Sequence, residues 1–137
     1  MSMSNDTENA TLKMHLQGVD PSYRSGASQF LGLLSLADPD EAAPIASELT
    51  YSGYGRVTLT KATAWTDGGS SFTNAALVQF GKRTDDGATQ TARSFVVVDT
   101  ASGAVSQAII GLLDDELDIN KNVQPQFGTG DMEITAQ

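Results

Sequence analysis

The sequence contains no cysteine. Disulfide scaffolds, thiolate nucleophiles and zinc–thiolate centres are therefore excluded for this chain. Basic residues are scarce. Eight Lys and Arg stand against seventeen Asp and Glu, giving a net charge of −9 at pH 7. Each phosphate contact needs a cation, so a chain with this balance repels nucleic acid and anionic membranes. Long apolar runs are missing too. Stretches such as Phe95 to Val98 fall far short of the roughly 20 residues that span a bilayer. The opening MSMSNDTENA has neither a basic n-region nor an apolar h-region, so it is not expected to be a signal peptide. There is one histidine, His15. Any Ser-His-Asp arrangement would have to be built on it.

What is present points to β structure. At 137 residues the chain is one domain's worth, with a core that buries about two thirds of the unfolded surface. Charged residues make up 18%, below the usual quarter or so, while Gly, Ser, Thr and Ala are plentiful. In residues 11–17, TLKMHLQ, Leu12, Met14 and Leu16 alternate with Lys13 and His15, which predicts a half-buried strand. GVDPSYRSG reads as a loop, QFLGLLSL as a buried strand, and residues 37–47 around Asp38-Pro39 and Pro44 as an exposed loop. RVTLTKATAW and FTNAALVQF each read as a strand, separated by the turn TDGGSS. TARSFVVVDT carries the strongest β signal, with Phe95 followed by three valines. AVSQAIIGLLD, ELDIN and DMEITA are further strands. The expected fold is all-β: a single-domain β-sandwich, jelly-roll or immunoglobulin-like, of about eight strands over residues 18–137. Residues 1–17 form an N-terminal arm with a short strand, flexible or docked on a partner. No helical stripe of useful length is expected.

Few motifs offer chemistry. ELTYSGYGRVTL places two tyrosines around Ser52-Gly53 and an arginine at the start of an alternating run. A phosphate-binding loop needs its glycines between a strand and a helix, with Lys-Ser/Thr at the end; here a strand follows and Lys61 comes too late. A nucleophile elbow needs a glycine two residues before the serine, and Thr50 stands there. The stretch is expected to be a turn flanked by Tyr51 and Tyr54. His15 reads as a solvent-facing or interface residue. LDDELDIN gathers Asp114, Asp115, Glu116 and Asp118. Their alternate spacing resembles a calcium loop, but Ile119 stands where glycine belongs at the sixth position and no glutamate stands at the twelfth. A solvated strand edge, whose charges block edge-to-edge pairing, is the expected role. No catalytic residue, cofactor or metal is expected.

The order of segments carries more information than any one of them. FLGLLSLADPDEA is followed by ELTYSGYGRVTL, FTNAALVQF, ARSFVVVDTASG and a closing FGTGDMEITA. The matching positions are Asp38-Pro39, Glu48, Gly53-Tyr54, Arg56, Asn74-Ala75, Phe80, Asp99, Gly103, Phe127, Gly130, Met132 and Ile134. Over about residues 30–136 this order resembles a family of small virion structural proteins of tailed bacteriophages; it does not reach residues 11–17. Members serve as head decoration or as tail-fibre-associated proteins. The resemblance implies a non-enzymatic virion component. A compact acidic β domain with an adhesive arm suits a capsid decoration (cement) protein on the capsid surface. It would join major capsid protein subunits and associate with itself as a homotrimer, without nucleic acid or membrane. A tail-associated or receptor- and carbohydrate-binding virion protein is the alternative. Partner contacts are expected at Leu12, Met14, His15 and Leu16 in the arm, and at Tyr51, Tyr54 and Arg56. The carbohydrate reading would need Tyr23, Tyr51 and Tyr54 clustered on the surface.

Overall fold

Consecutive β-branched side chains are stiff and suit a pleated surface covered on both faces. Accordingly Gln90–Val98, QTARSFVVV, forms β7, the centre of the main sheet. In this computed structural model, which describes residues 2–20 and 26–135, β7 pairs antiparallel with β2 (Ser28–Leu34) and β8 (Ala108–Ile119). Outside β2 lies β3 (Val57–Thr60), and outside β8 the two-residue β1 (Ser2–Met3). A smaller antiparallel sheet joins β10 (Glu133–Thr135), β5 (Ser71–Asn74) and β4 (Trp65–Asp67), while β6 (Val78–Gln79) pairs with β9 (Gln126–Phe127). The result is an all-β single domain of packed antiparallel sheets that do not close into a barrel.

The period of two along the central strands divides the core. Leu31, Leu33, Phe95, Val97 and Leu113 pack with Tyr51, Phe80, Phe127 and Met132 in one cluster. Leu34, Val96, Val98, Ala108 and Ile110 form a second, completed by Phe30, Ile45 and Val105. Phe95 lies directly opposite Gly111. A Cβ at Gly111 would stand 2.1 Å from the Phe95 ring, so the missing side chain is what lets the ring lie flat across β8. The β7–β8 register slips once. Ala92 faces Leu117 and Ser94 faces Leu112, so β8 carries the extra residues of a bulge. Asp114, Asp115 and Glu116 occupy that bulge, all exposed. A run of charges is tolerated within a long strand because the bulge turns it to water.

Several expectations need correction. Residues 11–17 are not a strand: Asn5–Gln17 is a helix, α1. Ser4 caps it by accepting from the Thr7 amide, Asp6 and Glu8 occupy the first turn, His15 the last, and Gly18 closes it in the left-handed conformation. Those are helix start and stop signals, and they outweigh the short alternation of Leu12, Met14 and Leu16. The short strand of this N-terminal segment is β1, at Ser2–Met3. FTNAALVQF is not one strand but β5 and β6, in separate sheets. Asn74 breaks it. Its buried amide donates to the Ala76 and Gly128 carbonyls and accepts from the Met132 amide, anchoring three segments. RVTLTKATAW likewise divides into β3 and β4, whereas the last part of AVSQAIIGLLD continues through most of ELDIN as the single strand β8.

Candidate functional site

Ser52-Gly53 is the turn that the sequence implies. The Tyr54 amide donates to the Tyr51 carbonyl at 3.0 Å, and Gly53 has φ +100°. Its backbone is pressed against the next layer: a Cβ on Gly53 would stand 2.2 Å from the Lys82 carbonyl oxygen. The Ser52 amide of the turn donates to Asp85 Oδ2 at 2.6 Å, within the chain.

This turn places its neighbours inward. Tyr51 is buried, and its hydroxyl donates to the Gly81 carbonyl at 2.9 Å. Burial pushes the Tyr51 phenol up to about 12. The Tyr54 hydroxyl accepts from the Leu33 amide at 3.0 Å and donates to Glu48 Oε1 at 2.8 Å. Burial raises its pKa, and the nearby Glu48 charge adds to the effect. Arg56 grips Glu48 with two parallel bonds, Nε to Oε1 at 2.8 Å and Nη2 to Oε2 at 2.7 Å. Its remaining donors go to the carbonyls of Thr100 and Gly103, each at 2.9 Å. The arginine side chain is only 3% exposed. Its hydrogen bond to Glu48 raises its pKa, so it remains charged. Gly32 lies beneath, where a Cβ would meet Glu48 Oε1 at 2.9 Å and the Tyr54 hydroxyl at 3.0 Å. Glu48, Tyr54 and Arg56 thus form a clasp tying β2, β3 and the loop after β7 together. Its donors are taken up within the chain. Tyr51, Tyr54 and Arg56, expected to meet a partner, are occupied in holding the fold.

A second clasp was not foreseen. Arg83 is buried; it donates to Asp85 Oδ1 from Nε and Nη2 and to the carbonyls of Ala88 and Ile119. Asp85 also accepts from the amides of Ser52 and Gly87. The Arg83 guanidinium first, then those amides, hold the Asp85 carboxyl well below the usual carboxylate range. Nothing in a lone Lys-Arg pair inside a polar loop signals such burial. The Gly87 that follows, where a Cβ would lie 2.9 Å from Arg83 Nη2, is the one local hint of close approach.

The other candidates lie elsewhere. Leu12, Met14, His15 and Leu16 belong to α1, which contacts β1 and β8; Leu12, His15 and Leu16 are exposed and Met14 is half-buried. Of the acidic run, Glu116 pairs with Arg93 at 2.7 Å and Asp118 accepts from the Thr91 hydroxyl at 2.6 Å. Among the described residues no three His, Cys, Asp or Glu side chains converge as a metal site would require. Tyr23 lies outside the described residues. With Tyr51 buried and Tyr54 tied down, the proposed aromatic surface for sugars is not assembled from these two. No helix among the described residues is long and apolar enough to cross a membrane.

Comparison with known proteins adds one match. A family model, Gp80, described as podophage GP4 fiber I protein gp80, aligns with residues 2–135. No curated protein matches the chain.

Proposed function

The chain belongs to the Gp80 family of podophage fiber proteins, a tailed-phage virion structural family, and we propose that its own place is in the tail-fibre apparatus. There it acts by adhesion between protein surfaces and not by catalysis. The family match over residues 2–135 carries this reading. The distribution of polar groups supports it. The two densest networks, around Arg56 and Arg83, are closed within the chain, so these donors serve the fold and not a bound substrate. Such clasps suit a rigid part whose shape must persist in a particle.

A place on the capsid surface, cementing major capsid protein subunits, is the second reading. It draws on the same compact acidic domain, and many copies acting together would make weak contacts effective there as well. The family description speaks for the fibre. An epitope tag or antibody on intact virions tests the choice: gold label is expected at the tail fibres. Label spread over the head, with none at the tail, would overturn the fibre placement in favour of decoration.

A further inference from the structure

Among the described residues, two buried carboxamide oxygens accept nothing from the chain: Gln29 Oε1 and Gln107 Oε1. Both residues line one cavity of about 290 Å³. A buried acceptor left unpaired is costly, so two at one cavity mark a place for a donor from outside. The main sheet explains why they meet. Phe30, Val98 and Ala108 lie side by side on β2, β7 and β8. One residue further out along the same three segments come Gln29, Asp99 and Gln107, all lining the cavity. The period of two puts their side chains on the face of Leu31, Val97 and Ile109. Asp99 Oδ1 accepts from the amides of Ser106 and Gln107 at 3.1 and 3.2 Å, which leaves Oδ2 for a further donor. Two residues back, about 6.7 Å along the strands, Met3, Ile109 and Val97 form an apolar row in register across β1, β8 and β7. That row is the other wall of the cavity. We infer that the cavity binds one neutral sugar residue, its C–H face on the Met3, Ile109 and Val97 row and its hydroxyls on Gln29, Asp99 and Gln107.

The chemistry of the lining selects this class of ligand. A hydroxyl both donates and accepts, so it pairs with a carboxamide in either orientation and with a carboxylate. Charge narrows the choice. Lys61 also lines the cavity and opposes a cation there. Asp99 and the net charge of −9 oppose an anion. The volume stands at the small end of ligand sites, which begin at about 300 Å³, and suits a single ring. An apolar row beside a polar row matches a sugar ring, which has a C–H face and a rim of hydroxyls. Each new hydrogen bond largely replaces one to water, so affinity for one residue is about millimolar. Many copies held on one particle make such weak contacts effective.

This inference stands apart from the fibre placement: gold label on the head leaves it intact, and its own failure leaves the fibre placement intact. The full chain, labelled with nitrogen-15, is titrated with the methyl glycosides of glucose, galactose, mannose and N-acetylglucosamine to about 50 mM. At least one is expected to shift the amides of Gln29, Val97, Asp99 and Gln107 saturably, with a Kd of about 1–10 mM. Gln29→Met and Gln107→Met keep the unbranched stem and remove the oxygen. Each should weaken that binding about tenfold. Because the two oxygens have no partner in the fold, the same variants should hold or raise the urea midpoint, which a merely structural role would not allow. Four glycosides that leave these amides unmoved would overturn the inference. So would variants that bind as the wild type does, or variants with a lowered midpoint. Saturation of the same amides by methylguanidinium or glucuronate, with none by the neutral glycosides, would give the cavity to a charged ligand instead.

Discussion

Replacing Arg56 with methionine keeps the unbranched stem of the side chain and removes its donors. Arg56 is nearly enclosed, at 3% side-chain exposure, while the Glu48 carboxylate retains 16%. After the substitution Glu48 keeps one side-chain donor, the Tyr54 hydroxyl, and the Thr100 and Gly103 carbonyls lose their guanidinium partner. Breaking a buried ion pair from one side destabilises by about 3–5 kcal/mol. Water reaches Glu48 in part, which argues for the lower end, about 3 kcal/mol. For a domain of this size that is a fall in Tm of roughly 10 °C. Urea denaturation should show a lower midpoint with an unchanged slope, since the folded surface is the same. Glu48→Gln alone and the double variant complete a thermodynamic cycle, and the coupling is expected to be about 2 kcal/mol. A loss below about 1 kcal/mol for Arg56→Met is what an ordinary surface pair gives. That result would refute the view that this clasp holds the domain together.

Other outcomes follow from particular contacts. Gly111→Ala forces a methyl group to within 2.1 Å of the Phe95 ring and should cost about 2–3 kcal/mol by overpacking, read in the same urea titration. Thr7→Val leaves the Ala108 amide without its acceptor. It should cost about 1–3 kcal/mol and raise hydrogen exchange across α1 while the centre of β7 stays protected. The Asp85 carboxyl is held below its ordinary 3.8 in the fold, so the unfolded chain takes up the proton first as pH falls. Its stabilisation is complete above that ordinary value and fades as pH drops toward the lower folded one. The stability gap between wild type and Asp85→Asn should therefore be constant from neutral to mildly acidic pH and shrink below about pH 4; a gap constant down to pH 2 would contradict this.

Much of the β architecture was legible in the residues themselves. Phe95 and the valines after it are a strand in almost any context, and Ser52-Gly53 had to be a turn because a strand and not a helix follows it. Helix α1 was legible as well, through Ser4, Asp6, Glu8 and Gly18, but Leu12, Met14 and Leu16 form too short a series to distinguish a period of two from one of 3.6. The acidic run at 114–118 is visible in sequence as a charge cluster, yet its tolerance within β8 depends on a bulge that only pairing with β7 creates.

Composition and local pattern determined what this chain avoids and the kind of fold it adopts, because charge, cysteine content and residue alternation act over a few neighbours at a time. Tertiary structure decided which side chains are spent on the fold and which remain outside. Arg56 and Glu48 are eight residues apart, and Arg83 reaches the carbonyl of Ile119, thirty-six residues away. Such pairings exist only once the sheets have packed and excluded water, and that exclusion turns two tyrosines and two arginines that sequence would leave at the surface into internal fastenings. The same packing turns Thr7 inward to satisfy Ala108, and so leaves Leu12 and Leu16 facing out.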